Sequence, residues 1–430
     1  MAVREGWVSP SNAHRRYLLS ELPALKELET RCLCEKLHPD TTAGGNGGAK
    51  VCVDDGLMLE TRHASVARLL VECELCIYAL NGRNALVLKR CDANELNSRS
   101  PRTDAKMQAD ILSYKNEASF YALILPQLDS RLALTPRCWY AAQVGPDSAD
   151  AQAIYPAFVL YLEDLGDTWH QVQMLGETTA LCVLKSLAQF HASMHKSQLT
   201  STWPRRGSFW SPVLEKRPQD EWKGVDTSWR EMVENFPELY EFYWLGEALL
   251  RVAMHVDAEQ QAQLDGPFST FIHGDAKTWN MFLNPSESAC TWIDFQWSGQ
   301  GSCSQDVEYV LATGLDCSLM SRWDEFRTAY LSFYSEALLE RKIVLSESAR
   351  TSFMRASDVS LIAYVVVLVS LIWRGLNSER ITKNADSGPG MSMVNRSRPH
   401  VFSVCAQVCK ALQRCYPEIV RECVVQKNRE

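Results

Sequence analysis

From Val66 to Ile77 apolar residues fall on every second position. Ala67, Leu69, Val71, Cys73, Leu75 and Ile77 share one face, while Arg68, Glu72 and Glu74 take the other. A period of two is that of a strand with one side buried. Asn81-Gly82-Arg83-Asn84 supplies turn chemistry and Ala85-Leu86-Val87-Leu88-Lys89 returns, so the spacing predicts a hairpin ending in a lysine. The period then lengthens. Met107, Ile111, Tyr114, Ala118, Tyr121 and Leu125 recur at helical spacing, Pro126 closes the segment, and Glu117 lies on that helix. Phe158 to Leu162 reads as a short apolar strand running into Glu163-Asp164-Leu165-Gly166, and a helical pattern resumes from about Thr178 to Met194. The longest uncharged run, Val359 to Trp373, carries two serines and a tyrosine and falls short of the roughly 18–20 residues that cross a bilayer. It predicts a buried helix of a large lobe, and no membrane partner is expected. Residues 384–392 read as an exposed loop. The glycine-rich residues 41–50 read as a flexible connection, since no Lys-Ser or Lys-Thr follows them.

Composition narrows the picture. With 430 residues and 46% hydrophobic content the chain can bury a large core in two or three units, which excludes disorder throughout. Lys plus Arg number 44 against 52 Asp plus Glu, a formal charge of −8 with no basic block to follow a phosphate backbone. Nucleic acid is not an expected partner. The fifteen cysteines are an odd count, and the first thirty residues lack the apolar stretch of a signal peptide. Reduced thiols and a cytosolic setting are therefore expected. No two Cys-x-x-Cys pairs stand together as in a zinc site. His191 and His195 stand four apart on the predicted helix, but Ala192 occupies the place where a metalloprotease helix needs glutamate.

The chemistry concentrates between Phe271 and Gln296. Phe271-Ile272-His273-Gly274-Asp275-Ala276-Lys277-Thr278-Trp279-Asn280-Met281-Phe282-Leu283 is followed by a turn at Asn284-Pro285-Ser286 and then by Thr291-Trp292-Ile293-Asp294-Phe295-Gln296. Two short apolar strands thus display Asp275, Asn280 and Asp294 around one loop and one hairpin. Phosphoryl transfer needs such a set: a carboxylate to orient and accept the proton of an attacking hydroxyl, and oxygen ligands for Mg²⁺. An Asn five residues after an Asp, and a second Asp nineteen after the first, is the spacing of a kinase catalytic loop and metal-binding strand end.

The chain resembles the small-molecule kinases of the aminoglycoside phosphotransferase and choline kinase superfamily, most closely the ecdysteroid-kinase-like or CHK-kinase-like branch. The matching pieces are HGDAKTWN, WIDFQW, the strand ending at Lys89, the helix with NEASFYALILP, the FVLYLEDL segment and the LAQFHASMH helix, over about residues 60–310. The resemblance implies that Lys89 binds the nucleotide phosphates with Glu117 as its ion-pair partner. It implies that the backbone of Tyr161, Leu162 and Glu163 receives the adenine, that Asp275 is the catalytic base, and that Asn280 and Asp294 hold the metal. His273 would brace the loop and Asp306 support it from the following helix. Lys277, two residues after Asp275, is either a positive charge set against the transferred phosphoryl group or a solvent-facing loop lysine. The segment from Asp54 to Ser65 has only Gly56 and no GxGxxG, so no backbone contact to the nucleotide is assigned there.

The fold class expected is α+β and protein-kinase-like. Residues 1–50 would form an N-terminal extension and linker, 51–160 a small lobe with an antiparallel sheet, and 161–430 a larger, mainly helical lobe, with the nucleotide between the lobes. The implied activity is transfer of a phosphoryl group from ATP, with Mg²⁺, to a hydroxyl of a small organic molecule such as a sterol, an amino alcohol or an aminoglycoside-like acceptor. A nucleotide-binding pseudokinase is the alternative. A protein kinase is disfavoured, because Gln296 replaces the usual glycine and no activation-segment signature is evident. Residues 203–244 carry Trp203, Trp210, Trp222, Trp229 and Trp244, which read as core before they read as an acceptor pocket.

Overall fold

The computed structural model describes residues 51–60, 64–71, 85–93, 97–98, 101, 103–128, 134–144, 156–203, 206–208, 220–386 and 392–427. The glycine-rich residues 41–50, the turn at Asn81–Asn84 and the outer half of the first predicted strand lie outside them, as does Trp210. Contacts divide the chain into two units. One takes in the described residues up to Gln127 together with Thr135–Asp167, and the other takes in Leu128–Leu134 and the chain from Thr168 onward. Each has the character expected of a kinase-like α+β protein: an antiparallel sheet with one long helix, and a mainly helical body.

In the first unit five strands pair antiparallel. These are β1 (Val51–Glu60), β2 (Ser65–Val71), β3 (Ala85–Asp92), β4 (Cys138–Val144) and β5 (Ala157–Glu163), in the order β1-β2-β3-β5-β4. The predicted hairpin is the β2–β3 pair, in which Val66 stands opposite Lys89. β5 is flanked on both sides, and its five residues Phe158 to Leu162 are buried in succession, which explains a continuous apolar run in place of alternation. Helix α1 (Asp104–Ser119) covers the sheet, with the Tyr114 ring 6.2 Å from that of Phe158. Thr103 caps it, accepting a hydrogen bond from the Lys106 amide at 3.3 Å. The helix closes differently from the predicted pattern. A π turn over Phe120–Ile124 and a 3₁₀ turn over Leu125–Gln127 follow it, and the wider turn rotates the buried face by one residue. Ile124 is therefore fully buried where Leu125 was expected.

The second unit holds α2 (Glu177–Ser193), α3 (Val225–Asn235), α4 (Leu245–Ala262), strand β6 (Ser269–Ile272), the hairpin β7 (Met281–Leu283) and β8 (Cys290–Trp292), and β9 (Gly299–Ser302). There follow α5 (Cys303–Gly314), α6 (Trp323–Glu340), α7 (Ala349–Val367), α8 (Ser378–Asp386), α9 (Arg398–Cys415) and α10 (Pro417–Lys427). Helix α7 continues through a π turn at Leu368–Ile372 and contains the long uncharged run. Together they make 24 residues, long and apolar enough to cross a membrane. This segment is instead mostly buried among α4, α5 and α9, which accounts for its apolar surface. The loop expected over 384–392 begins later, because Asn384 to Asp386 complete α8, where the Asn384 amide donates to the Asn395 carbonyl at 2.9 Å. Of the aromatic segment, Trp229, Trp244 and Phe236 are core, whereas Tyr240 is exposed.

Candidate active site

Strand β6 delivers His273, Gly274 and Asp275 into the middle of the second unit. Gly274 has φ of +79°, and a Cβ there would run into the Trp297 carbonyl oxygen and stand 2.5 Å from the Ser208 amide, so only glycine fits. The loop is held from α5. Ser302 and Gln305 form a capping box at its start, with the Ser302 amide donating to Gln305 Oε1 at 3.1 Å, and this places Asp306 in the first turn. Asp306 Oδ2 accepts from the His273 amide at 2.7 Å and Oδ1 from the Gly274 amide at 2.8 Å. His273 donates from Nε2 to the Ile293 carbonyl at 2.9 Å, and its Nδ1 accepts from the Asp275 amide at 3.3 Å. Its ring lies 4.6 Å from that of Phe295, so it bridges the loop to the turn after β8 that carries Asp294.

Asp275 is buried. Its Oδ2 accepts from Lys277 Nζ at 2.7 Å and from Asn280 Nδ2 at 2.9 Å, while Oδ1 makes no hydrogen bond. The backbone between them is a tight chain: the Lys277 amide donates to the Asp275 carbonyl and the Asn280 amide to the Lys277 carbonyl, each at 2.9 Å. With Nδ2 turned to Asp275, the Asn280 amide oxygen is its remaining ligand atom. The Ile293 amide donates to the Asn280 carbonyl at 2.9 Å, and this links the loop to β8 just before Asp294. Asp294 adopts the left-handed conformation at φ of 68°, which aspartate tolerates better than most residues. Burial works against the charge of Lys277, but the Asp275 carboxylate and the more distant Asp294 outweigh it and raise its pKa. Two buried phenols, Tyr309 on α5 and Tyr364 on α7, also feel Asp275. Burial first, and then that negative charge, push both hydroxyls above their ordinary range.

An amide oxygen and a carboxylate fit Mg²⁺, which binds through one or two protein oxygens and completes its shell with water and phosphate. Among the described residues no cluster of three His, Cys, Asp or Glu makes an all-protein cage.

In the first unit Lys89 Nζ lies 2.8 Å from both oxygens of Glu117. Glu117 is buried on α1 and Lys89 stands in β3, so the carboxylate fixes an otherwise flexible ammonium. Tyr161, Leu162 and Glu163 close β5 between β3 and β4, where the Glu163 amide is already committed to the Arg137 carbonyl at 2.8 Å. The structure thus joins Asp275, Lys277 and Asn280 by hydrogen bonds, ties Asp294 to them through the hairpin, and pairs Lys89 with Glu117. Sequence reasoning passed over His191. Its Nε2 donates to Asp306 Oδ2 at 3.0 Å and its Nδ1 shares a hydrogen bond with the Tyr330 hydroxyl at 2.8 Å. The signal was the i, i+4 pair His191 and His195, which faces the i, i+4 pair Tyr330 and Tyr334.

Several solved structures resemble this one at low identity. A microcompartment-associated aminopropanol kinase is 15% identical with a TM-score of 0.42, over 89% of this chain and 96% of that one. Choline kinase from Cryptosporidium parvum is 11% identical with a TM-score of 0.41, over 94% and 97%. Choline kinase from Streptococcus pneumoniae is 14% identical with a TM-score of 0.37, over 87% and 98%. No curated protein matches the sequence. The model of the ecdysteroid kinase-like family matches residues 98–345, more than half of the sequence and all of the loop and hairpin just described. The chain belongs to the ecdysteroid kinase-like family.

Proposed function

We propose that the protein transfers the γ-phosphoryl group of ATP to a hydroxyl of a small organic molecule, with Mg²⁺ as the metal. The observation that carries this reading is the state of Asp275: one oxygen is held by Lys277 and Asn280, and the other makes no short hydrogen bond, with the Tyr309 hydroxyl beside the carboxylate. That is the disposition of a base whose direction is set and whose second oxygen can accept an alcohol proton.

In this reading Asp275 orients the hydroxyl and takes its proton. Lys277 sets its charge against the transferred group, and Asn280 with Asp294 holds the metal. The metal, when bound, neutralises phosphate charge. Lys89, restrained by Glu117, binds the nucleotide phosphates, and the end of β5 at Tyr161–Glu163 receives the adenine. The acceptor class is a sterol, an amino alcohol or an aminoglycoside-like molecule, with family membership favouring a small molecule over a protein. A cytosolic setting accords with ten free cysteines among the described residues.

The test is ADP release from Mg-ATP in the presence of sterols, amino alcohols, aminoglycosides and a generic protein. One small alcohol should be phosphorylated, and Asp275→Asn should lower its turnover by about 10²–10⁴-fold, the usual contribution of a general base, with nucleotide binding retained. Full turnover in Asp275→Asn would remove Asp275 as the base.

A further inference from the structure

We propose that Lys277 is a resident counterion of the acidic loop. In the nucleotide-free protein its ammonium supplies the positive charge that a divalent cation would bring, and it gives up that place only to a metal-bound nucleotide. The inference rests on the kinase reading and adds an order of events to it.

The geometry is specific. Lys277 Nζ sits 2.7 Å from Asp275 Oδ2, an oxygen that also accepts from Asn280, the residue assigned to the metal. Asp294, the other assigned ligand, is tied to Asn280 through the Ile293 amide. The protein offers the metal two oxygen-bearing side chains, and one positive charge already stands on the Asp275 oxygen that one of them shares. A bare divalent ion entering here meets a fixed cation before it has phosphate ligands to offset the repulsion.

The lysine is able to leave. Its side chain is 26% exposed, against 7% for Asp275, and it is a four-carbon stem that can swing while the loop backbone stays in place. Triphosphate oxygens offer the ammonium a richer set of acceptors than one shared carboxylate oxygen. Nucleotide arrival would therefore draw Lys277 away and bring in the metal with its own ligands. It would also free Asp275 Oδ2 from its ion pair when there is a phosphoryl group to transfer. Without nucleotide, the same ion pair keeps Oδ2 engaged and opposes the entry of a bare metal ion.

The measurement is a Mn²⁺ titration of the full-length, nucleotide-free protein, read from the paramagnetic resonance signal of free Mn²⁺. Lys277→Gln should bind Mn²⁺ about tenfold more tightly than wild type, the expected consequence of removing one nearby like charge. Lys277→Met, which keeps the apolar stem, should give the same gain, and Lys277→Arg, which keeps the charge, should match wild type. Adding Asp294→Asn to Lys277→Gln should abolish the gain. Equal Mn²⁺ affinity in wild type and Lys277→Gln overturns the proposal, as does a gain that survives Asp294→Asn. The kinase reading is checked separately by binding of Mn²⁺ with a non-hydrolysable ATP analogue to wild type. Its absence would defeat that reading and the second half of this proposal, whatever the variants do with the metal alone.

Discussion

His191 and Asp306 meet at 3.0 Å in the interior of the second unit, both with side chains almost wholly withdrawn from solvent. A carboxylate only accepts, so the imidazole donates from Nε2, and its Nδ1 shares a 2.8 Å hydrogen bond with the Tyr330 hydroxyl. The same Asp306 oxygen accepts the His273 amide, so one carboxylate ties helices α2 and α5 to the loop that ends in Asp275.

Removing that carboxylate strands several buried donors at once. Asp306→Ala should cost about 3–5 kcal/mol of stability, the range for breaking a buried charged hydrogen-bond set. His191→Ala should cost less, since two backbone amides still satisfy Asp306. Chemical denaturation of the two single variants and the double variant should show strong non-additivity. Additive losses would mean that His191 and Asp306 are not energetically coupled.

Gly274→Ala tests the loop backbone. The alanine methyl would meet the Trp297 carbonyl oxygen and the Ser208 amide at a left-handed φ, so a loss of about 3 kcal/mol or more is expected. A thermal midpoint equal to that of wild type would show that the loop can relax around a side chain.

The Lys89–Glu117 pair separates stability from binding. Lys89→Met leaves Glu117 buried without its cation and should lower stability by about 2–4 kcal/mol while abolishing stabilisation by Mg-ATP. The double variant Lys89→Met, Glu117→Leu should regain much of the stability but not the nucleotide response. Thermal shift with and without Mg-ATP reads both quantities, and a retained nucleotide shift in Lys89→Met would remove Lys89 from the phosphate site.

His400 gives the protein a pH dependence unrelated to chemistry. It donates from Nε2 to the Ala312 carbonyl at 2.8 Å, and burial pushes its pKa down to about 4. A depressed histidine pKa means that the unfolded chain binds the proton more readily. Its contribution is therefore complete above pH 6.5 and is lost as the pH falls from 6.5 toward 4. The loss amounts to about 3 kcal/mol at 1.36 kcal/mol per unit. Denaturation midpoints of wild type and His400→Gln across that window should differ in slope, with the variant the flatter, and parallel slopes would contradict it.

How far the sequence led depended on whether the information was local. The β2–β3 pair, α1 and α2 were legible because burial on one face leaves a period of 2.0 or 3.6 residues, and β5 because a fully buried strand leaves an unbroken apolar run. Glu117 was legible as a residue of α1, and its pairing with Lys89 came from the family resemblance. The end of α1 was not legible, because a π turn costs little locally and is selected by what Phe120 and Ile124 bury against. The first turn of the region read as a loop at 384–392 proved helical for a similar reason: the charged residues of α8 carry little apolar pattern, and Ile381 is its one core side chain. His191 escaped because its partners Asp306 and Tyr330 lie 115 and 139 residues away in the chain.

By itself the sequence determined which side chains stand together around the loop and the hairpin. The order and spacing of Asp275, Lys277, Asn280 and Asp294 lie within a loop and a hairpin too short to be arranged in many ways. Tertiary structure decided how that set is poised. Which carboxylate oxygen of Asp275 is occupied, which backbone amides Asp306 receives, and whether Glu117 is buried are set by contacts between segments far apart in the chain. Such contacts are stabilised by burial and charge only after the segments have come together, so no local periodicity records them.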